Sequence, residues 1–351
     1  MRAWMLLAAG ILGCTDAKIV NFLEVDGGED SSADRTSPPD AAPGCTPRRP
    51  PPRPPGDDSG DERQVFVIRD LSFNDGRAWF DYGLDLDGLC TSRTNPAAEC
   101  LGPLVEDGND GVDNAYAESF RGALLTALPD LEAMVTREHT AGRFAILVRI
   151  DGYNGTADDP QVQASVALTV CGVPRSVGAG CMAGAGPAWD GMDLFFAGDE
   201  AFVDGNEDMP RVVDDNAYVT GGRLYLRLPN YDNLVISDGT RSLDVGLVDA
   251  TLIVELGSVD QPGQAVITGR WGSSRILQAG QRLGFCPGDA SDQLYLMFAQ
   301  NAVDQSADLR EAGAPDPAVP CDAVSMALAG RAYPGLWGGV VPALPFPEPC
   351  Q

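Results

Sequence analysis

The sequence predicts a mainly β protein: an antiparallel β-sandwich, jelly-roll-like, with a small helical insertion. Two observations carry this. From about Gln64 onward apolar residues recur with a period of two, which is the signature of strands with one buried face. Clusters of Gly, Asn and Asp separate these runs, as turns separate the strands of packed antiparallel sheets.

Residues 64–73 (QVFVIRDLSF) open the body as a strand. Val112, Tyr116, Phe120, Ala123, Leu124, Ala127 and Leu128 then recur at helical spacing until Pro129, and a second short helix fits Leu131 to Glu138. Strand character returns at 143–150. In the next run Val162, Ala164, Val166, Leu168 and Val170 alternate with Gln161, Gln163, Ser165, Ala167 and Thr169. Leu224, Leu226 and Leu228 alternate with Arg223, Tyr225 and Arg227, and the pattern repeats at 250–256, 264–270 and 323–332. A helix is expected from Asp292 to about Val303. Residues 64–351 read as a single domain with these helices as insertions.

Acidic residues outnumber basic ones 51 to 24, a net charge of −27, and no basic stripe or aromatic-basic platform interrupts them. Nucleic acid is therefore excluded as a natural partner. Clustered carboxylates instead favour divalent cations.

The first fourteen residues, MRAWMLLAAGILGC, place one positive charge, Arg2, before a short apolar run and end in Leu12-Gly13-Cys14. Trp4 to Leu12 is far shorter than the roughly 20 residues that span a bilayer, so it reads as the core of a signal peptide. The stretch resembles the lipobox of bacterial lipoprotein signal peptides. That resemblance implies removal of residues 1–13, acylation of Cys14 and attachment to a membrane through lipid. Thr15 in place of an acidic residue points to the outer membrane, on its periplasmic or cell-surface side. Residues 14–63 then form a lipidated, Pro-rich, disordered tether, with the Pro47–Pro55 run favouring polyproline II.

Eight cysteines remain beyond Cys14, an even number that suits four disulfides in an exported chain. Proximity in sequence favours Cys90 with Cys100 and Cys171 with Cys181. Cys286 with Cys321 follows, and Cys45 with Cys350 by elimination.

The stretch Asp107-Gly108-Asn109-Asp110-Gly111-Val112-Asp113 concentrates oxygen ligands between glycines that permit tight turns. Asp107, Asn109, Asp110 and Asp113 are the candidate ligands of a calcium ion, the one candidate cofactor. The spacing departs from the EF-hand loop, and Asp110 and Asp113 equally suit a helix N-cap and dipole partner. Asp204-Gly205-Asn206-Glu207 with Asp214-Asp215-Asn216 forms a partial echo, and Asp85, Asp87, Asp190 and Asp193 are positioned to join such a site.

Enzyme signatures are sparse. His139, the single histidine, is expected at the surface, and HExxH, Gly-x-Ser-x-Gly and Walker A patterns are absent from the sequence. Glu200, Glu207 and Glu255 leave a glycosidase-like carboxylate pair open without selecting one. Trp189, Trp271, Trp337, Tyr218 and Tyr225 are core residues or sugar-stacking platforms.

Four segments extend a second resemblance over most of the chain beyond residue 64: Leu84-Asp85-Leu86-Asp87-Gly88-Leu89-Cys90-Thr91, Asp110-Gly111-Val112-Asp113-Asn114-Ala115, Trp189-Asp190-Gly191-Met192-Asp193 and Pro320-Cys321-Asp322-Ala323-Val324-Ser325. They resemble segments of secreted lipoproteins of myxobacterial type. The resemblance implies an exported, anchored protein and transfers no catalytic residue. The expected function is a lipid-anchored envelope or surface protein with a binding or structural role, its partner an envelope glycan or surface protein. The alternatives are a glycan-processing enzyme on a sandwich and a calcium-stabilised adhesin-like module.

Overall fold

A computed structural model describes residues 45–350, apart from 57–59, 73–78, 97–98, 179, 182–185, 239, 287, 289, 314 and 348–349. The expected signal segment, Cys14 and the start of the expected tether lie outside the described residues.

The strands are β1 (Glu62–Ser72), β2 (Cys100–Leu101), β3 (Ile146–Tyr153), β4 (Asp159–Pro174), β5 (Asp193–Gly198), β6 (Val213–Thr220), β7 (Arg223–Ser237), β8 (Ser242–Glu255), β9 (Gly263–Gly272), β10 (Asp316–Pro320) and β11 (Ala323–Val341). Among the described residues four α-helices accompany them: α1 (Arg121–Ala127), α2 (Leu131–Thr140), α3 (Ser273–Arg282) and α4 (Ala290–Ser306).

These strands close a barrel, which corrects the expected sandwich. The ring runs β1-β3-β4-β6-β7-β8-β9-β11 and returns to β1, antiparallel at every step. Closure rests on two pairings: β1 with β11, as in Val67↔Tyr333, and β4 with β6, as in Val162↔Ala217. A period of two reports that one face is buried, and it is the same whether that face meets a second sheet or curls onto itself. The alternation was therefore sound and the closure invisible to it.

The barrel is filled. Leu224, Leu226, Leu228, Leu252, Val254, Ile267 and Leu328 point into one core, while Arg223 and Arg227, on the alternate positions of β7, are exposed. Along β7 the interior side is apolar and the outer side polar.

β5 stands outside the ring. It pairs antiparallel with the end of β4 and parallel with the end of β11, so that β4, β5, β11, β1 and β3 enclose a second, smaller core. Val65, Val67, Leu147 and Ala167 face this core with Phe195 and Phe202, whereas Phe66, Ile68, Ile146, Val148 and Val166 face the main one. The unbroken apolar run Val65–Ile68 follows from this, because a strand buried on both faces has no polar side to show.

Helix α2 packs on both β1 and β7, which stand opposite one another in the ring of eight. An element that touches opposite strands must cross the barrel's mouth or enter it. Leu131, Met134 and Val135 on α2 accordingly join the main core. A π-helical turn, Tyr116–Phe120, leads into α1, and α3 packs on β8 and β9. α3 follows β9 directly and was not foreseen in the sequence.

The disulfides are Cys45–Cys90, Cys100–Cys321, Cys171–Cys181 and Cys286–Cys350. Of the expected pairs only Cys171–Cys181 is present. The pairing of Cys90 with Cys100 fails because Cys100 lies in β2, whose partner is β10, beside Cys321. Nearness in sequence decided little, since the sheet brings residues 221 apart into contact.

The described part of the Pro-rich segment lies against the body. Cys45 is bonded to Cys90, Arg48 donates to the Asp81 carbonyl at 2.7 Å, Arg53 donates to the Asn216 carbonyl at 2.7 Å, and the Tyr218 hydroxyl donates to the Pro51 carbonyl at 2.6 Å.

Candidate functional site

The loop Leu84–Thr91 wraps its own amides around a set of carboxylates. The Gly88 amide donates to Asp85 Oδ1, the Leu89 amide to Asp87 Oδ1 at 2.8 Å, the Leu86 amide to Asp113 Oδ2 at 2.6 Å and the Thr91 amide to Asp107 Oδ2 at 2.5 Å. Short-range Asx geometry at Asp85 and Asp87 thus continues into long-range bonds with the 107–113 loop. Gly111, at φ +71°, allows the close approach: a Cβ there would meet the Leu89 carbonyl at 2.8 Å and Asp85 Oδ2 at 3.1 Å.

Asp85, Asp87 and Asp113 each offer an oxygen within 4.8 Å of the others. Asp107 lies beside Asp113, and the two carboxylates act on one another electrostatically. Asp87, Asp107, Asp113 and Asp308 line a small space of about 20 Å³, together with Thr91, Glu99 and the Cys100–Cys321 disulfide. Such a volume holds about one water molecule or one ion.

Burial dominates the electrostatics. It pushes the Asp107 carboxyl up to about 8, against the pull of the Thr91 amide, and Asp308 up to about 7, against its bonds from Ser325. Asp113 is raised well above the ordinary carboxylate value, by burial first and then by the charges of Asp107 and Asp87. Asp85 and Asp87 are raised by burial as well, with Arg49 and Arg270 respectively opposing it. Asp308 is fully engaged: its oxygens accept the Ser325 amide at 2.8 Å and hydroxyl at 2.6 Å, and that hydroxyl accepts the Ala115 amide at 2.8 Å.

The structure therefore revises the candidate ligand set. Asp107 and Asp113 come together, while Asn109 donates to Asp81 at 2.8 Å and Asp110 pairs with Arg48 at 3.2 Å. Asp110 sits at φ +57°, which turns its side chain away from Asp113. Their places are taken by Asp85 and Asp87, which the sequence had offered as additions, while Asp308, which it had not, lines the same small space without a free oxygen. Asp308 has no sequence signal of its own, being a lone acid after α4.

The N-cap reading also fails. The residue before the first helical turn is Ala115, and Asp113 is held by Leu86 instead. Asn114 takes the local role: its Oδ1 accepts the Ala327 amide at 3.1 Å and fastens the helix start to β11.

The remaining candidates lie elsewhere. Asp193 accepts the Ala188 and Trp189 amides and Asp190 the Met192 amide, which are turn bonds beside β5. In the echo segment Asp204 and Gly205 reproduce the left-handed pair Asp110–Gly111, but Asp214 and Asn216 lie in β6. Glu207 accepts the Trp337 indole N–H at 2.8 Å. His139 is not a surface residue: it is 0 % exposed on α2, and burial pushes it down to about 4.

Of the five aromatic candidates, Trp271 is core and Tyr218 stacks on Tyr225 with centroids 5.4 Å apart. Trp189 packs on Phe195 and Tyr333 with Arg69 over its ring. Trp337 lines a groove of about 460 Å³ with Arg63, Gln64, Arg175 and Leu194, where β11 leaves β1 to join β5. Arg63 is paired with Asp151, whereas Arg175 is exposed and has no acidic partner among the described residues.

No family model, curated protein or solved structure matches this chain.

Proposed function

We propose that this is an exported, lipid-anchored protein of the bacterial envelope, with a binding or structural role at the membrane surface. The observation that carries the reading is the pairing of all eight cysteines beyond Cys14 into four disulfides. Disulfides in this number belong to an oxidising compartment. The lipobox-like stretch ending at Cys14 supplies the route there, and the acylated cysteine the attachment. A binding role finds a surface in the groove of about 460 Å³ beside Trp337. Trp337 beside Arg175, which has no acidic partner among the described residues, suits an acidic, hydroxyl-rich chain such as an envelope glycan.

The test is Cys14→Ser in the full chain, expressed in a bacterium that processes lipoproteins. The native protein should partition into detergent and carry the mass of acyl groups on a chain lacking residues 1–13. The variant should be unprocessed and lose both properties. Identical mass and partitioning of the two would refute the anchor.

A further inference from the structure

The carboxylate cluster goes beyond any question of anchoring. We propose that Asp85, Asp87 and Asp113, with Asp107 beside them, bind one calcium ion.

Ligand oxygens that lie within 4.8 Å of one another match the span of a calcium coordination sphere, twice a bond of about 2.4 Å. Magnesium, with bonds of about 2.0–2.1 Å and strict octahedral demands, fits this spread less well. A second observation points to a ligand independently of the clustering. Asp85 is only 8 % exposed, and its Oδ2 is buried with no hydrogen-bond partner. A buried carboxylate oxygen without a donor is costly, and a cation supplies what it lacks.

Each of the four acids already uses one oxygen on a loop amide, so their orientation is fixed before an ion arrives. The cations facing the cluster are Arg49 near Asp85 and Arg270 near Asp87. Arg270 is committed to Glu99 and to the Leu86 and Arg310 carbonyls, which leaves the Asp oxygens for a metal. By joining the 84–91 loop to the 107–113 loop, the ion would fasten the segment that carries Cys90 to the segment that leads into the π turn and α1.

The experiment is calorimetric titration of the full chain with calcium chloride at about 0.5 M KCl, where diffuse attraction to the acidic surface is screened. One saturable site with Kd of about 0.1–1 mM is expected, in the range of extracellular modules. Asp87→Asn and Asp85→Asn, which keep a side-chain acceptor for the loop amides, should weaken it at least about tenfold. Asp110→Asn should leave it unchanged. Absence of a saturable site in the native protein overturns the proposal, as does undiminished affinity in folded Asp85→Asn and Asp87→Asn. If those variants do not fold, hydrogen exchange of the native chain decides: slowing by calcium centred on the Leu86, Gly88, Leu89 and Thr91 amides supports the site, and no local slowing overturns it.

Discussion

Arg270 Nη1 lies 2.8 Å from both carboxylate oxygens of Glu99, across 171 residues of sequence. Glu99 is 1 % exposed, and burial raises its carboxyl while Arg270 pulls it back. The same guanidinium donates to the Leu86 and Arg310 carbonyls at 2.7 Å, so one side chain of β9 ties together the acidic loop, β2 and the segment after α4.

Removing that cation should cost more than any surface pair. Arg270→Met strands a buried carboxylate, and urea denaturation should show a loss of about 3–5 kcal/mol. Adding Glu99→Met should recover part of the loss, because the stranded charge is gone while the two carbonyls still lack their donor. A single-variant cost below about 1 kcal/mol, as for an exposed pair, would contradict this role.

His139 sets a direction for the pH dependence. Its pKa falls from an ordinary 6.5 to about 4 because burial disfavours the imidazolium. The unfolded chain therefore binds a proton between about pH 6.5 and 4 that the folded chain does not. The stabilising contribution is full above the unfolded value and is lost as pH falls toward the folded one. From pH 7 to 5 the loss is about 2 kcal/mol. The buried acids of the cluster are shifted upward and act in the opposite sense, so the comparison is made with His139→Leu. The slope of stability against pH in this window should be steeper toward acid in the native protein than in the variant. Identical slopes would show that His139 titrates normally.

The hydroxyl of Tyr218 holds the proline segment to the body through Pro51, with Arg53 placed 5.8 Å over the same ring. Tyr218→Phe should lower stability by about 1 kcal/mol in denaturant titration, the worth of one such hydrogen bond. Tyr225→Phe serves as control and should stay within about 0.5 kcal/mol of the native protein. Equal effects of the two would mean that the Pro51 contact contributes nothing.

Much of this molecule is legible in its alternation of apolar residues. The seven runs taken as strands fall in β1, β3, β4, β7, β8, β9 and β11, and the helices at 112–128, 131–138 and 292–303 overlap observed helical segments. What alternation omits is who pairs with whom. β6 reads Val213-Asp214-Asp215-Asn216-Ala217, and its acidic start hides a strand that is needed to close the ring. The site was half legible for a similar reason. Asp107 and Asp113 stand in one dense stretch, but Asp85 and Asp87 stand on a separate loop whose Leu86 and Thr91 amides donate to Asp113 and Asp107, and Asp308 is tied in through Ser325 of β11. The dense stretch itself misled at Asp110, whose left-handed backbone sends its carboxylate to Arg48. Buried His139 was masked by its polar neighbours Glu138 and Thr140, since Glu138 is itself held by Arg137 and Arg143 beneath the surface.

The barrel and its outlying loops are joined by four specific disulfide cross-links. Peptide mapping by mass spectrometry of unreduced protein, taken from a bacterial envelope fraction with free thiols blocked, tests this directly. It should recover Cys45 with Cys90, Cys100 with Cys321, Cys171 with Cys181 and Cys286 with Cys350. Recovery of Cys90 joined to Cys100, or of these cysteines as blocked thiols, would contradict both the loop arrangement around the acidic cluster and the exported setting.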